Sequence, residues 1–418
     1  MQAVRAHRGA RCVRPGLLLG LVVLAGCAAF PDGARYGDMG REWRRARPRA
    51  ADTAANDALF AAAPSLERGE LVRRVLERNP SLAAAHYAWR AALERYPQAV
   101  ALDDPTLGWA IAPRTLRSSD FEPTQRFDLS QRIPFPGKRG LAGSAALAEA
   151  EASAQDFAAT RVRLAALASA LFDDYYLAGR ALAISAEHAD LLRVHAGSAL
   201  ARYASGAGSQ QDPLQAEMEI AQLERQELEF QDGLREARAR LNALLHRAPE
   251  LPLPPPPEVL ALPEPPALEA QLDARPDLAA AAARVRAREA ELAGARRAFL
   301  PDLTLRGSYD ESWSEKELRP MVGFEVELPL QLARKRAGVR EARARLGQAE
   351  NEAAERLDGA RLELLRAQQE LERAQGLRAL YRDKLLPTAR ERVEAARAGF
   401  ESGRNGFAEL VDAEHELR

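Results

Sequence analysis

Cysteine is nearly missing from this chain of 418 residues: Cys12 and Cys27 are the whole supply, both within the first 27 positions. The body of the protein therefore has no disulfide framework and no cysteine metal site. Histidine is sparse and scattered, six residues in all, and with four methionines it gives no metal pathway. No run of 18 apolar residues follows residue 30, so no transmembrane helix is available. Aromatic residues make up only 6%, against 28% charged residues. That balance, with long helical periodicity, argues for helical rods over a globular α/β enzyme. No nucleophile–base set, phosphate loop or metal cluster appears. Gly206 and Gly208 lack the preceding strand that a phosphate cradle needs. An enzyme is the least favoured class, and no cofactor is implied. Nor is there an excess of either charge. Basic residues number 59 and acidic ones 60, and the first 26 positions hold four arginines and no acid. The remainder is slightly acidic, which is no nucleic-acid footprint.

Proline is also absent from Gly137 to Ala204, and this stretch organises the chain. Apolar or small residues recur at Leu164, Ala168, Leu171, Tyr175, Ala178, Leu182, Ala189, Leu192, Ala196, Ala199 and Tyr203. The steps alternate four and three, with one position taken by Ser185, a 3.5-residue repeat typical of a coiled-coil seam. Residues 137–204 as one helix reach roughly 100 Å at about 1.5 Å per residue. After Ser205-Gly206 the chain resumes at Asp212-Pro213, a good helix start. It then runs helically to about Arg247, so the expected unit is an antiparallel hairpin with a glycine-rich tip.

The unit occurs twice. Arg-Asn-Pro-Ser-Leu near Pro80 returns as Ala-Arg-Pro-Asp-Leu near Pro276. Pro105 matches Pro301, Pro134 matches Pro329, Lys138-Arg139 matches Lys335-Arg336, Ser205-Gly206 matches Ser402-Gly403, and Ala216-Glu217 matches Ala413-Glu414. A near-constant offset across these landmarks marks an internal duplication.

In chain order, residues 1–26 read as a secretory signal: Arg5, Arg8, Arg11 and Arg14 precede the apolar run Leu17 to Leu24. Leu24-Ala25-Gly26-Cys27 resembles a bacterial lipobox, which makes Cys27 the acylated residue and the outer-membrane lipid its partner. Ala28 after it resembles lipoproteins sorted to the outer membrane. Residues 27–65 have no period and read as a tether. The first repeat spans 66–248. It has a leading helix from about Leu66 to Tyr96 that Asn79-Pro80 breaks, strands at about 105–112 and 122–133, a helical hairpin over 137–247 and a tip at 205–212. Residues 249–266 are a proline-rich linker, expected to be stiff and extended. The second repeat spans 267–418, with strands at about 301–310 and 319–330, a long helix over 334–400 and a tip at 401–408. Its return helix is about a third as long as the first, which reads as a C-terminally incomplete repeat or a naturally short chain. Each strand alternates, for instance Phe127, Leu129, Gln131 and Ile133 against Arg126, Asp128, Ser130 and Arg132. Runs of about ten residues suit a transmembrane β-strand. On pattern alone a half-buried soluble sheet is favoured; four strands in two separate hairpins cannot close a barrel by themselves, but could if several chains each gave four.

The lipobox, the duplicated strand–strand–hairpin units and the proline linker together resemble the TolC family, outer-membrane factors of tripartite efflux and type I secretion systems. The most specific pieces are Ser130-Gln131-Arg132-Ile133-Pro134-Phe135-Pro136-Gly137-Lys138-Arg139 and the tips Tyr203-Ala204-Ser205-Gly206 and Phe400-Glu401-Ser402-Gly403. The resemblance implies a mainly α fold with a small β part. As a homotrimer it would form an α-barrel and a twelve-stranded transmembrane β-barrel. It implies a passive exit duct in the outer membrane, with its helices in the periplasm. The partners it implies are a periplasmic adaptor and an inner-membrane transporter of the RND type. Ser205, Gly206, Ser402 and Gly403 become adaptor-contact tips. Glu409 and Asp412 become acidic rings of a periplasmic gate, with Asp212 and Gln215 at the matching places. A solvated helix start also favours acids at such positions. Two rival readings stay open: a periplasmic adaptor, which carries one hairpin and not two, and a structural coiled-coil lipoprotein, which needs no paired strands.

Overall fold

The computed structural model describes residues 32–47, 57, 60–113, 124–260, 272 and 274–417. The signal, Cys27 and most of the tether lie outside the described residues. Helices α1 (Gly33–Arg45), α2 (Arg68–Arg78), α3 (Pro80–Leu93) and α4 (Arg95–Val100) precede strands β1 (Thr106–Ile111) and β2 (Gln125–Ile133). Helix α5 (Lys138–Ala204) and α6 (Gln211–Leu244) form the first long hairpin. After α7 (Pro276–Arg297) come β3 (Leu303–Asp310), β4 (Pro320–Val326), α8 (Leu332–Leu380), α9 (Leu386–Glu401) and α10 (Phe407–Leu417).

Three expectations change. The leading helix breaks at Asn79-Pro80 as expected, where Asn79 turns extended and caps the next helix through Ser81 N–H, 2.9 Å from its Oδ1, but it also divides a second time between Leu93 and Arg95. The second long helix is interrupted by a π-turn at Tyr381–Leu385, ahead of Pro387. Proline has no N–H and its ring crowds the carbonyl four residues back, so the ladder widens there. The strands are shorter than ten residues, and they form one antiparallel sheet in the order β1-β2-β3-β4. Pairing of β2 with β3, Phe127 opposite Tyr309 and Gln131 opposite Leu305, joins the two repeats where separate hairpins were expected.

The sheet register puts the apolar positions on one face, except Ala110 and Met321, which lie opposite Arg126 and Ser308 on the other. Trp109 lies opposite Phe127, Leu107 opposite Leu129, and Leu305 opposite Phe324. Nothing among the described residues covers that face: Leu107 is 74% exposed, Phe324 71% and Val322 89%. A half-buried soluble sheet would bury these side chains, so that expectation fails. The other face carries ion pairs, Arg306 to Glu325 at 2.8 Å and Arg126 to Asp128 at 2.9 Å.

Contacts divide the chain into two units. The first comprises the described parts of Met1–Ala46, Tyr87–Gln155 and Ala279–Ala354, and contains the whole sheet. Its core packs Met39, Leu93, Tyr96, Val100, Leu147 and Ala150, with Tyr36 stacked on Tyr96 at 5.3 Å. At the foot of its sheet, Asp302 accepts hydrogen bonds from Lys138 Nζ (2.7 Å), Phe135 N–H (2.8 Å) and Arg132 (2.8 Å). The knot holds both repeats' strand–helix junctions.

The second unit comprises the described parts of Arg47–His86, Asp156–Leu278 and Glu355–Arg418. Here the proline linker is strapped to α5. Tyr175 Oη donates to Pro254 O at 3.0 Å, Leu66 N–H donates to Pro255 O at 2.8 Å, and Pro256 sits where a Cβ on Gly179 would fall.

Candidate functional site

The two tips are built alike, and glycine decides how. Gly206 and Gly403 have φ of 75° and 74°. This left-handed conformation is one that residues with a Cβ adopt only at a cost. In the first tip, Gly206 N–H donates to Tyr203 O and Ala207 N–H to Arg202 O. In the second, Gly403 N–H donates to Phe400 O and Arg404 N–H to Gly399 O. Both are Schellman closures, which satisfy the orphan carbonyls of a helix end. Ser205 Oγ and Ser402 Oγ add bonds to Arg202 O (2.9 Å) and Ala398 O (2.8 Å). The site residues Ser205, Gly206, Ser402 and Gly403 are all exposed.

One residue that sequence reasoning missed ties the tips together. The Arg202 guanidinium donates to Phe400 O of the other tip and to Ala207 O of its own, at 3.3 Å for the latter. It also lies 4.9 Å from the centre of the Phe400 ring. The duplicated position is Gly399, where a Cβ would meet the Asn405 side chain at 2.6 Å. The mismatch of Arg202 with Gly399 across the repeat is the available signal. Beneath the tips a shared core of Leu192, Ala199, Ala216, Phe400, Phe407 and Leu410 packs four helix segments.

The gate candidates are placed less uniformly. Glu409 and Asp412 are exposed on α10, beside the buried run Leu410, Val411, Ala413 and Glu414, and form no ion pair or hydrogen bond among the described residues. Asp212 is half-buried in the first turn of α6. Gln215 lines a shallow groove of about 620 Å³ with Gln210, Gln211, Leu214, Met218 and Ala408. The tertiary structure thus brings Gln215 beside the start of α10.

Three of the histidines, scattered in sequence, lie on facing helices. His195 Nε2 is 2.9 Å from Glu414 Oε1, both side chains buried, yet that nitrogen makes no hydrogen bond. His415 Nε2 is 3.3 Å from Glu219 Oε2, and the His188 ring centre is 6.4 Å from that of His415. No group of three potential ligands that could hold a metal occurs among the described residues.

An open antiparallel sheet with an uncovered apolar face, carried by duplicated long hairpins, defines a membrane channel subunit of the kind that closes only in an oligomer. The outer membrane efflux protein family profile matches residues 71–246 and 267–418, so the chain belongs to that family. Channels of this family sit in the outer membrane and work as trimers with adaptor proteins and inner-membrane pumps. The fold is similar to a membrane protein from Pseudomonas aeruginosa, with 24% identity, TM-score 0.69, and 86% of this chain and 87% of that chain covered. It is similar to the outer membrane protein VceC of Vibrio cholerae, with 20% identity, TM-score 0.69 and coverage of 84% and 89%. It is also similar to the outer-membrane channel OprN, with 21% identity, TM-score 0.68 and coverage of 88% and 92%. The comparison with curated proteins gave no match.

Proposed function

We propose that this chain is one third of a passive exit duct. It would carry substrates from an inner-membrane pump of the RND type and its periplasmic adaptor across the outer membrane. The observation that carries the reading is the sheet. Among the described residues its two edge strands β1 and β4 have unpaired outer sides, and its apolar face has no cover. In lipid every backbone donor and acceptor must be paired, so such a sheet is stable only when edges of several copies join into a closed barrel. Three copies supply twelve strands.

In this reading Ser205, Gly206, Ser402 and Gly403 meet the adaptor, and Cys27 carries the lipid. A threefold ring of Glu409 and Asp412, with Asp212 and Gln215 nearby, narrows the periplasmic end and attracts cations. Reconstitution of the purified chain into planar bilayers tests the duct. We expect a heat-sensitive trimer and stepwise conductance; a detergent-independent monomer without conductance overturns it. Glu409→Gln with Asp412→Asn should weaken block of that conductance by a trivalent cation, and unchanged block removes the gate assignment. Cys27→Ala should abolish palmitate labelling.

A further inference from the structure

We infer that the foot of the sheet in the first unit holds an anionic phosphate headgroup of the membrane's periplasmic leaflet, in a cradle made by α7 and the start of α8. The inference rests on the outer-membrane reading above, and adds a ligand to a part of the chain to which that reading gives no role.

The sequence changes character abruptly where β4 ends. Leu328 is 66% exposed, Leu330 83% and Leu332 48%. Within the next four positions come Arg334, Lys335 and Arg336, followed by Arg340 and Arg343. Between Leu332 and Arg345 there are six basic residues and one acid, Glu341, which is taken by Arg345 at 2.6 Å. The side chains of Arg296, Arg334, Lys335, Arg336, Arg340 and Arg343 make no hydrogen bond or ion pair among the described residues. A step from exposed leucines to unpaired arginines matches the step from hydrocarbon to the headgroup layer of a bilayer.

The duplication supplies a control. Lys138 and Arg139, the first-repeat twins of Lys335 and Arg336, are both used inside the fold. Lys138 Nζ donates to Leu300 O and Asp302, and Arg139 donates to Val100 O at 2.7 Å. The twins of Arg334, Arg340 and Arg343 are Gly137, Gly143 and Ala146. The helix start therefore works without these cations in one repeat, and their presence in the other is not required by the fold.

A shallow cavity of about 350 Å³ lies among them, lined by Arg296, Phe299, Arg336, Val339 and Arg340. Three guanidiniums stand around an apolar floor made by one aromatic and one valine. Guanidinium pairs with phosphate oxygens in a two-point geometry, and the floor suits the first carbons of an acyl chain. An acidic surface on another protein would match the charge but not the floor, nor the continuity with the exposed strand. A lipid phosphate fits all three.

The test uses the full chain, purified in detergent and stripped of lipid. Phosphatidylglycerol is added back and the retained lipid is read by native mass spectrometry. We expect retention that weakens with salt and falls roughly a hundredfold in R296Q/R336Q/R340Q, at about fivefold for each basic residue near an anionic surface. The R296K/R336K/R340K variant keeps the charge and should keep most of the binding. Circular dichroism checks that helix and strand content is unchanged. Equal retention by parent and glutamine variant overturns the inference. Displacement of the lipid by an equal concentration of inorganic phosphate overturns it in favour of a free anion. Loss of the trimer in the glutamine variant assigns the arginines to contacts between copies and overturns it as well. The conductance measurement is read separately: a chain that conducts but retains no lipid sinks this inference alone, and one that retains lipid but never conducts sinks the duct alone.

Discussion

Asp302 shows how a single carboxylate can fasten two repeats. Burial pushes its carboxyl up, but the bonds from Lys138 Nζ, Phe135 N–H and Arg132 outweigh this and hold it at about 2. The folded value lies below the ordinary one of about 3.9. The stabilisation is therefore fully present above about pH 4 and is lost as pH falls toward 2, with a full size of about 2 kcal/mol. Asp302→Asn should lower thermal stability by a similar amount at neutral pH. It should also flatten the acid limb of the stability curve between about pH 4 and 2. Melting curves of parent and variant across that range check this, and identical acid limbs would show that the knot adds nothing. Glycine acts at the same scale by different physics. Gly206→Ala should cost about 1–2 kcal/mol for forcing a Cβ into the left-handed region, in open space. Gly399→Ala has ordinary backbone but meets Asn405, so its effect should appear as a rearranged second tip. Amide exchange over 399–406 distinguishes the two, because only the second variant should speed exchange there selectively.

Among the elements, those set by local rules were readable beforehand and those set by distant contacts were not. The seam of α5 follows from its 3.5 repeat, and the tips from Ser-Gly ahead of a helix start. The strand alternation predicted two faces correctly. It could not show which face would be covered, since cover depends on what packs there. Pairing of β2 with β3 depends on residues 170 to 184 positions apart, from Ile133 with Leu303 to Arg126 with Asp310, so the single sheet was invisible while each hairpin was read by itself. The π-turn ahead of Pro387 was legible and was missed, because the first repeat has no proline to compare. Cys27 falls outside the described residues, so the structure neither adds to nor alters that reading. Arg202 is the consequential omission at the candidate site. An arginine in the last turn of a helix looks like a solvated charge at a favourable helix end until the other tip is placed beside it. Arg202→Ala removes bonds to Phe400 O and Ala207 O and the contact with the Phe400 ring. The expected loss is roughly 2–3 kcal/mol of local stability, from about 1 kcal/mol for each hydrogen bond and for the cation–π contact. Exchange should quicken at both tips together, and quickening at the 203–208 tip alone would mean that Arg202 serves only its own helix.

For the whole molecule, the question is what meets the uncovered face of the sheet. Water and lipid make opposite demands on the same residues. Phe324 lies on the apolar face opposite Leu305, and its neighbour Glu325 lies on the other face, paired with Arg306. If the sheet becomes part of a closed barrel in lipid, Phe324→Arg places a charge against hydrocarbon. The cost is about 2–4 kcal/mol per chain near the bilayer midplane, falling toward the interfaces. Three copies feel it together, so assembly into the outer membrane should fall sharply. Glu325→Gln removes one partly exposed ion pair on the lumen side, worth at most about 1 kcal/mol, and should leave assembly unchanged while altering conductance. In a soluble sheet the order reverses: an exposed Phe324→Arg would be neutral or would improve solubility. Fractionation of outer membranes, with trimer detected before and after heating, reads both variants in one experiment. Assembly undisturbed by Phe324→Arg would show that this face never meets lipid, and the barrel would have to be abandoned whatever the helices form.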